Sequence, residues 1–464
     1  MIDLSQLWPH QLQTYEFGKN KPSVLDGSSS GTGKTNSHAA IAEYFLENGG
    51  SRVLITCPKT LVRAAWLEDL SRFFPDLSVS LAEAPEENRK KAFEDSSDIL
   101  ILNQDGMTWL AKQSDKWLRN RLGKNALLIN DESHAYKNPE AQRTKASFKL
   151  APYFVKRHCM SGTFAPNSVT ELWSQCRIVD DGQRLGKRFT AFRNLMQFPT
   201  KKGPFTQWID RPDSAEIVHG LLGDILIQHS FEECMKNVPK MDHRIIYYDL
   251  SDKHRKIYDE LCRNAFLQYE GKNISAVNKA ALAGKLLQCA SGAMYNDPDG
   301  RDRTWSTVDN GRYNLIGDLF EGREHTICFF LWKHQRAELI KQCIARGLSY
   351  DVIDGDVSST EKRNEIIKNM QAGKLRVLLL HPKSSAHGIT LTRCTTVIFA
   401  SPTYQADLYL QGTARIRRGL QDKPTESIII LARDTHDFNA YEVFTGKRNY
   451  MEALNNLFEG KTNV

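Results

Sequence analysis

Residues 27–35 read Gly-Ser-Ser-Ser-Gly-Thr-Gly-Lys-Thr, between a short apolar run at 23–26 and a helical stretch at 36–48. No other feature narrows the fold as much. Glycines at 31 and 33 let the backbone curl until successive N–H groups point inward and form an anion cradle. A helix that starts where the curl ends adds positive potential. Lys34 can reach the outer phosphates of a nucleotide, and Thr35 can offer its hydroxyl to Mg2+. Ser30, Gly31, Thr32, Gly33, Lys34 and Thr35 are therefore the candidate phosphate-binding residues. The usual pattern has glycine six residues before the lysine, and here that residue is Ser28, also small. A serine-glycine linker is the plain alternative, and the strand-loop-helix context argues against it.

The rest of the chain has the rhythm such a loop requires. Apolar runs at 23–26, 52–57, 98–103, 125–131 and 156–163 alternate with helical stretches. A second set repeats the pattern at 325–332, 349–355, 375–382, 395–401 and 426–433. Runs this short and this apolar suit strands buried on both faces of a parallel sheet. Their alternation with helices implies βαβ units. The expected fold class is α/β, with two lobes, each a mostly parallel sheet flanked by helices, and a helical insertion between them. The predicted lobes are 1–237, with a basic helical extension over 180–237, and 238–464, with a helical insertion over 250–312. A strand is expected at 244–249, and the polar stretch 296–311 reads as a surface loop.

At 464 residues the chain is long enough for two to three full cores. No apolar run approaches the roughly 18 residues of a membrane span. The first thirteen residues lack a basic start followed by an apolar core, so a cytoplasmic location in a bacterial or virus-infected cell is expected, or a nuclear one if the source is eukaryotic. None of the nine cysteines stands in a Cys-x-x-Cys pair, which disfavours a zinc ribbon or a disulfide framework. The net charge of +7 is compatible with a polyanionic partner.

The run 125–131 ends in Asp131 and continues as Glu132-Ser133-His134. A carboxylate at the C-terminal end of a buried strand can hold Mg2+ through its water shell. The next one can orient and deprotonate an attacking water. An acidic N-cap is the alternative taken alone, and it loses weight once a phosphate loop precedes it. In the second half, Gln411, Arg415 and Arg418 are spaced i, i+4, i+7, which would put all three on one helical face. Two guanidiniums there could neutralise charge on a transferring γ-phosphoryl group. A solvated basic face is the alternative.

In order along the chain, these motifs resemble helicase superfamily two, and within it the Swi/Snf-type ATPases. LWPHQLQ at 7–13 resembles the opening motif, with Gln11 placed to read adenine, and SSSGTGKT at 28–35 resembles motif one. LITCPKTLVRAAW at 54–66 resembles motif Ia, DESHAYKNPEA at 131–141 motif two, and MSGTFAPNSVTELW at 160–173 motif three. The stretch 378–391, with His387 and Gly388, resembles motif five, and QGTARIRRGLQ at 411–421 motif six. Serines replace the family's acidic-Met lead-in to the loop, Ser133 stands where alanine is common, and Arg417 where histidine is common.

The resemblance implies two RecA-like lobes, ATP and Mg2+ as cofactors, and a monomeric motor of minimal bacterial or viral form. Double-stranded DNA is the implied partner, with an RNA helicase or a DNA-binding subunit of a larger machine as alternatives. It implies ATP-site roles for Gln11, Lys34, Thr35, Asp131, Glu132, Gln411, Arg415 and Arg418. Lys59, Thr60 and Arg63 would contact the nucleic-acid backbone. His134, Ser161, Gly162, Thr163, His387 and Gly388 would couple the two sites. Between Asp181 and Asp210 there is no acid, and Arg184, Lys187, Arg188, Arg193, Lys201 and Lys202 interleave with Phe189, Phe192, Phe198, Phe205 and Trp208. Such a stretch can follow a phosphate backbone, with Arg184, Lys187 and Arg188 the candidate contacts. It can equally be a helical core with a solvated basic face.

Overall fold

The computed structural model describes residues 4–165, 168–202, 205–269, 276–296, 304–357, 359–382, 391–403, 406–419 and 421–441. They form two compact units that divide after Lys236.

The first unit holds β1 (Ser23–Asp26), β2 (Arg52–Cys57), β3 (Val79–Ala82), β4 (Ile99–Asn103), β5 (Ala126–Asp131), β6 (Lys156–Met160), β7 (Gln197–Lys202), β8 (Phe205–Asp210) and β9 (Leu226–Ile227). Seven of them pair in the order β3-β4-β2-β5-β6-β1-β9, every pair parallel. Side chains of successive strand residues point to opposite faces. Leu54, Leu100, Leu102 and Leu128 accordingly enter one core, and Val53, Ile55, Ile99, Ile101, Leu127 and Ile129 the other. All of these are buried, each contributing roughly 1.5–3 kcal/mol of hydrophobic stabilisation. Because every strand runs the same way, the loops after β1, β2, β5 and β6 leave from one edge, where ligands of open α/β sheets sit.

The second unit holds β10 (Met241–Tyr248), β11 (Ala293–Tyr295), β12 (Trp305–Thr307), β13 (Thr326–Phe329), β14 (Tyr350–Ile353), β15 (Val377–Leu380), β16 (Thr396–Phe399) and β17 (Thr425–Ala432). Its parallel sheet has the order β10-β17-β16-β13-β15-β14. A fully buried arginine, Arg312, ties the unit together. It ion-pairs with Asp437 and donates to the Tyr248 hydroxyl, Ser401 Oγ and the carbonyls of Ala290 and Ala400. A guanidinium can be buried at tolerable cost only when satisfied in this way.

All ten expected runs contain strands. The reading of 180–237 as a helical extension is corrected in part: it holds helices at 189–196, 214–222 and 231–234, but β7 and β8 form an antiparallel hairpin between the first two. Pro199 disguised it: proline suits a sheet only at an edge, and β7 has a single partner. The expected loop at 296–311 likewise contains β12, paired antiparallel with β11. Strand β3 escaped notice because it is a short edge strand, half-buried along most of its length. Among the described residues no helix is long and apolar enough to cross a membrane.

Candidate active site

The phosphate loop starts where β1 ends and closes onto the helix Lys34–Glu47. Gly31 and Gly33 both take positive φ, 90° and 76°, as the curl requires. At Gly33 a side chain is also excluded, since a Cβ would collide with Gln11 Nε2. The loop is pinned from behind. His10 Nε2 lies 2.7 Å from the Thr32 carbonyl. Gln11 Nε2 donates to the carbonyls of Thr32 and Gly33 at 3.3 and 3.1 Å. Gln11 Oε1 accepts the Trp8 N–H at 2.9 Å. The side chain expected to read adenine thus braces the loop backbone. Lys34 Nζ donates to the carbonyls of Ser28 and Ser29 at 2.6 and 3.2 Å, so its ammonium already lies within the curl. Thr35 stands half-buried in the first helical turn.

Beneath the loop lies a buried pair that sequence reasoning missed. Asp26, the last residue of β1, accepts the Ser28 N–H on Oδ1 at 2.9 Å, and its Oδ2 lies 3.1 Å from His38 Nε2. Burial alone would raise the Asp26 pKa. The hydrogen bond and charge of His38 outweigh it and hold Asp26 at about 2. The His158 ring meets His38 edge-on at 5.5 Å, and burial first, then His38, pushes His158 well below the usual imidazole range. An acidic residue directly before a phosphate loop, with a histidine one helical turn inside the next helix, was the available signal.

At the end of β5, Asp131 is buried. Its Oδ1 accepts the Glu132 N–H and its Oδ2 the Trp66 indole N–H, both at 2.8 Å. Burial, then the neighbouring Glu132 charge, raises Asp131 to about 6. Two adjacent carboxylates at a strand end, one of them buried, are a donor set that fits a divalent cation. Glu132 adopts a left-handed conformation, φ 49°, uncommon for a residue with a side chain and found where a fold holds a functional group in place. Gln104 Nε2 fixes that turn by donating to the carbonyls of Asp131 and Glu132. His134 Nδ1 lies 3.2 Å from Glu132 Oε2 and 3.2 Å from Ser161 Oγ. Ser161 N–H donates to the Asp26 carbonyl, and Ser161 Oγ accepts the Thr163 N–H. Gly162 lies so close to the loop that a Cβ would meet Ser30 Oγ at 2.7 Å. The acidic turn, the 161–163 turn and the phosphate loop are one contiguous assembly.

Lys59 and Thr60 are exposed after β2, and exposed Arg63 ion-pairs with Glu83 at 2.6 Å. Arg184 is held otherwise than a free phosphate contact would be. Its Nε donates to Asp224 at 2.8 Å and its Nη1 lies 3.3 Å from Asp180. Lys187 and Arg188 are exposed. The aromatics of this stretch divide: Phe192 is buried and Phe189 packs edge-on against Trp173, whereas Phe198 is exposed and Trp208 lies under the Arg193 guanidinium.

In the second unit the expected arginine helix is corrected. The helix Ala406–Thr413 contains Gln411 but ends before Arg415 and Arg418, so the three do not share a helical face. Thr413 Oγ1 bonds back to the carbonyls of Tyr409 and Leu410. Beyond it the winding tightens, with the Arg415 N–H bonded to the Gly412 carbonyl and Ile416 to Thr413. Buried Ile416 anchors this turn, and Gln421 Nε2 ties its carbonyl to those of Thr392 and Cys394. Arg415 is buried and Arg418 half-buried. His387 and Gly388 lie outside the described residues.

Comparison with known proteins gives the same family as the motifs. The SNF2-related domain matches residues 18–293, and the helicase conserved C-terminal domain matches 311–419. The chain is 25% identical over 450 residues to putative protein p41 of Acyrthosiphon pisum secondary endosymbiont phage 1, covering 92% of each. It is 24% identical to an uncharacterized ATP-dependent helicase of Mycoplasma pneumoniae, over 98% of this chain but 42% of that one. Among solved structures, the Pyrococcus furiosus Hef helicase domain aligns with TM-score 0.56 and 15% identity, covering 95% of this chain and 99% of that one. That likeness bears on the fold alone.

Proposed function

The chain belongs to the SNF2-related family of helicase superfamily two, and we propose that it is an ATP-hydrolysing motor that moves along double-stranded DNA. The observation that carries the reading is the assembly at one sheet edge of the Lys34 loop, the Asp131-Glu132 turn and the Ser161-Gly162-Thr163 turn, linked through His134.

Lys34 exchanges its loop carbonyls for the outer phosphates of ATP, which present stronger, charged acceptors. Thr35 and Asp131 would hold Mg2+, which when bound would supply positive charge beside the phosphates. Glu132 takes the proton of the attacking water, and His134 orients that carboxylate. The roles we assign to Arg415 and Arg418, with Gln411, are on the γ-phosphoryl group. Gln11 and His10 keep the loop in register. The DNA backbone is followed by Lys59, Thr60, Arg63, Lys187 and Arg188, without base readout, since a motor must step along any sequence. Arg184 supports that surface through its two carboxylates. The protein works as a monomer in the cytoplasm of a bacterial or phage-infected cell.

The test is steady-state ATP turnover with double-stranded DNA, single-stranded DNA and RNA side by side. The reading expects the largest stimulation by double-stranded DNA. Equal or greater stimulation by RNA overturns the assignment of DNA.

A further inference from the structure

The chain after β2 does not form a regular helix. Residues Val62–Leu67 wind as a π-helix that continues into the α-helix Glu68–Phe73. Such segments are rare, and the residue they insert re-aims neighbouring side chains, often at functional sites. Here the segment carries two side chains with opposite surroundings. Arg63 is exposed and ion-paired with Glu83. Trp66 is fully buried, and its Nε1–H donates to Asp131 Oδ2 at 2.8 Å. Phenylalanine keeps an aromatic ring in these apolar surroundings but is smaller than indole and lacks its N–H, the one polar group tryptophan brings to this position.

We propose that Trp66 is a positioning residue that links nucleic acid on the 59–63 segment to the Mg2+-nucleotide site through Asp131. The proposal rests on the motor reading above. A phosphate backbone that engages Lys59, Thr60 and Arg63 competes with Glu83 for the Arg63 guanidinium. It thereby bears on the start of the π segment. Trp66 lies within that segment, and its N–H fixes one of the two Asp131 oxygens, the other being fixed by the Glu132 N–H. Any shift of the segment is delivered to the carboxylate directly, with no intervening side chain. Coupling between two bound ligands is reciprocal, so each must change the affinity of the other by one common factor.

That factor is the readout. A fluorescent, non-hydrolysable ATP analogue is titrated with Mg2+ present, with and without saturating double-stranded DNA, against wild type and Trp66→Phe. Wild type is expected to show a factor of roughly 5 to 150 between the two titrations. In Trp66→Phe the factor falls to within about twofold of unity, while DNA affinity without nucleotide and the melting temperature stay near wild type. If Trp66→Phe melts early, benzothienylalanine at position 66 keeps the indole shape and lacks the N–H. Either variant with the full wild-type factor overturns the proposal, as does a wild type that binds DNA with no factor at all. A wild type that binds no double-stranded DNA overturns the motor reading itself, which separates the two failures.

Discussion

His134 Nδ1 stands 3.2 Å from Glu132 Oε2. The same nitrogen reaches Ser161 Oγ, whose own backbone N–H is bonded to Asp26 under the phosphate loop. The carboxylate proposed to activate water is thus tied to the loop proposed to hold the phosphates by two side chains, His134 and Ser161, and one backbone hydrogen bond. This gives the catalytic predictions their shape: a change at the loop end should impair binding and turnover together, and a change at the carboxylate end turnover alone.

Lys34→Ala removes the cation from the loop and should abolish measurable turnover, with ATP affinity falling as well. Glu132→Gln keeps the shape and loses the base. It should bind ATP near wild-type affinity with turnover down by about 10²–10⁴, the usual worth of a positioned general base. Single-turnover kinetics and nucleotide titration distinguish the two. Wild-type hydrolysis by Glu132→Gln would remove Glu132 from its role.

Asp26 gives a pH prediction with a definite sign. Its carboxyl is held at about 2 in the fold against 3.8 ordinarily, so its ionised form stabilises the folded state. That contribution is full above pH 3.8 and is lost as pH falls through about 2. Asp26→Asn should lower stability at neutral pH by roughly 2 kcal/mol. Denaturant melts of wild type and variant should differ at pH 5 and converge as pH drops from 4 toward 2. Curves that coincide at pH 5 would mean that the Asp26–His38 pair contributes nothing to folding.

On the proposed DNA surface, Lys187 and Arg188 are exposed while Arg184 is held by Asp224 and Asp180. Replacing Lys187 and Arg188 together by alanine should shallow the salt dependence of DNA binding, by about 0.9 in log–log slope for each phosphate left without its cation. Arg184→Ala should instead lower the melting temperature with little change in slope. Fluorescence anisotropy across a salt series, with thermal melts of each variant, checks both. The opposite pattern would put Arg184 on the DNA.

Arg415→Ala or Arg418→Ala should reduce DNA-stimulated turnover by up to about 10³–10⁵, far more than either reduces ATP affinity. Lysine should rescue poorly, lacking the planar fork. Comparable losses in affinity and turnover would make these arginines binding groups only.

The sequence made legible whatever depends on local pattern. Runs such as Val377–Leu380 and Ile99–Asn103 are short and apolar, as strands buried on both faces are, and the phosphate loop announces itself by its glycines. What depends on pairing between distant residues was hidden. Nothing local marks Trp66 as the partner of Asp131, or Gln11 as a brace for the loop. The spacing of Gln411, Arg415 and Arg418 matched a helix, yet Thr413 bonds back to its own helix and ends it two residues before Arg415. The basic stretch around Arg184 showed its charge but not the two carboxylates, one of them forty residues on, that hold that arginine.

The central claim is that ATP hydrolysis drives movement along duplex DNA. It is tested most directly by displacement of a triplex-forming oligonucleotide from a linear duplex. The account predicts displacement by wild type that requires ATP and Mg2+, is independent of flanking sequence, and is lost in Glu132→Gln although that variant still binds ATP and DNA. DNA-stimulated hydrolysis without displacement, or displacement by Glu132→Gln at the wild-type rate, would contradict it.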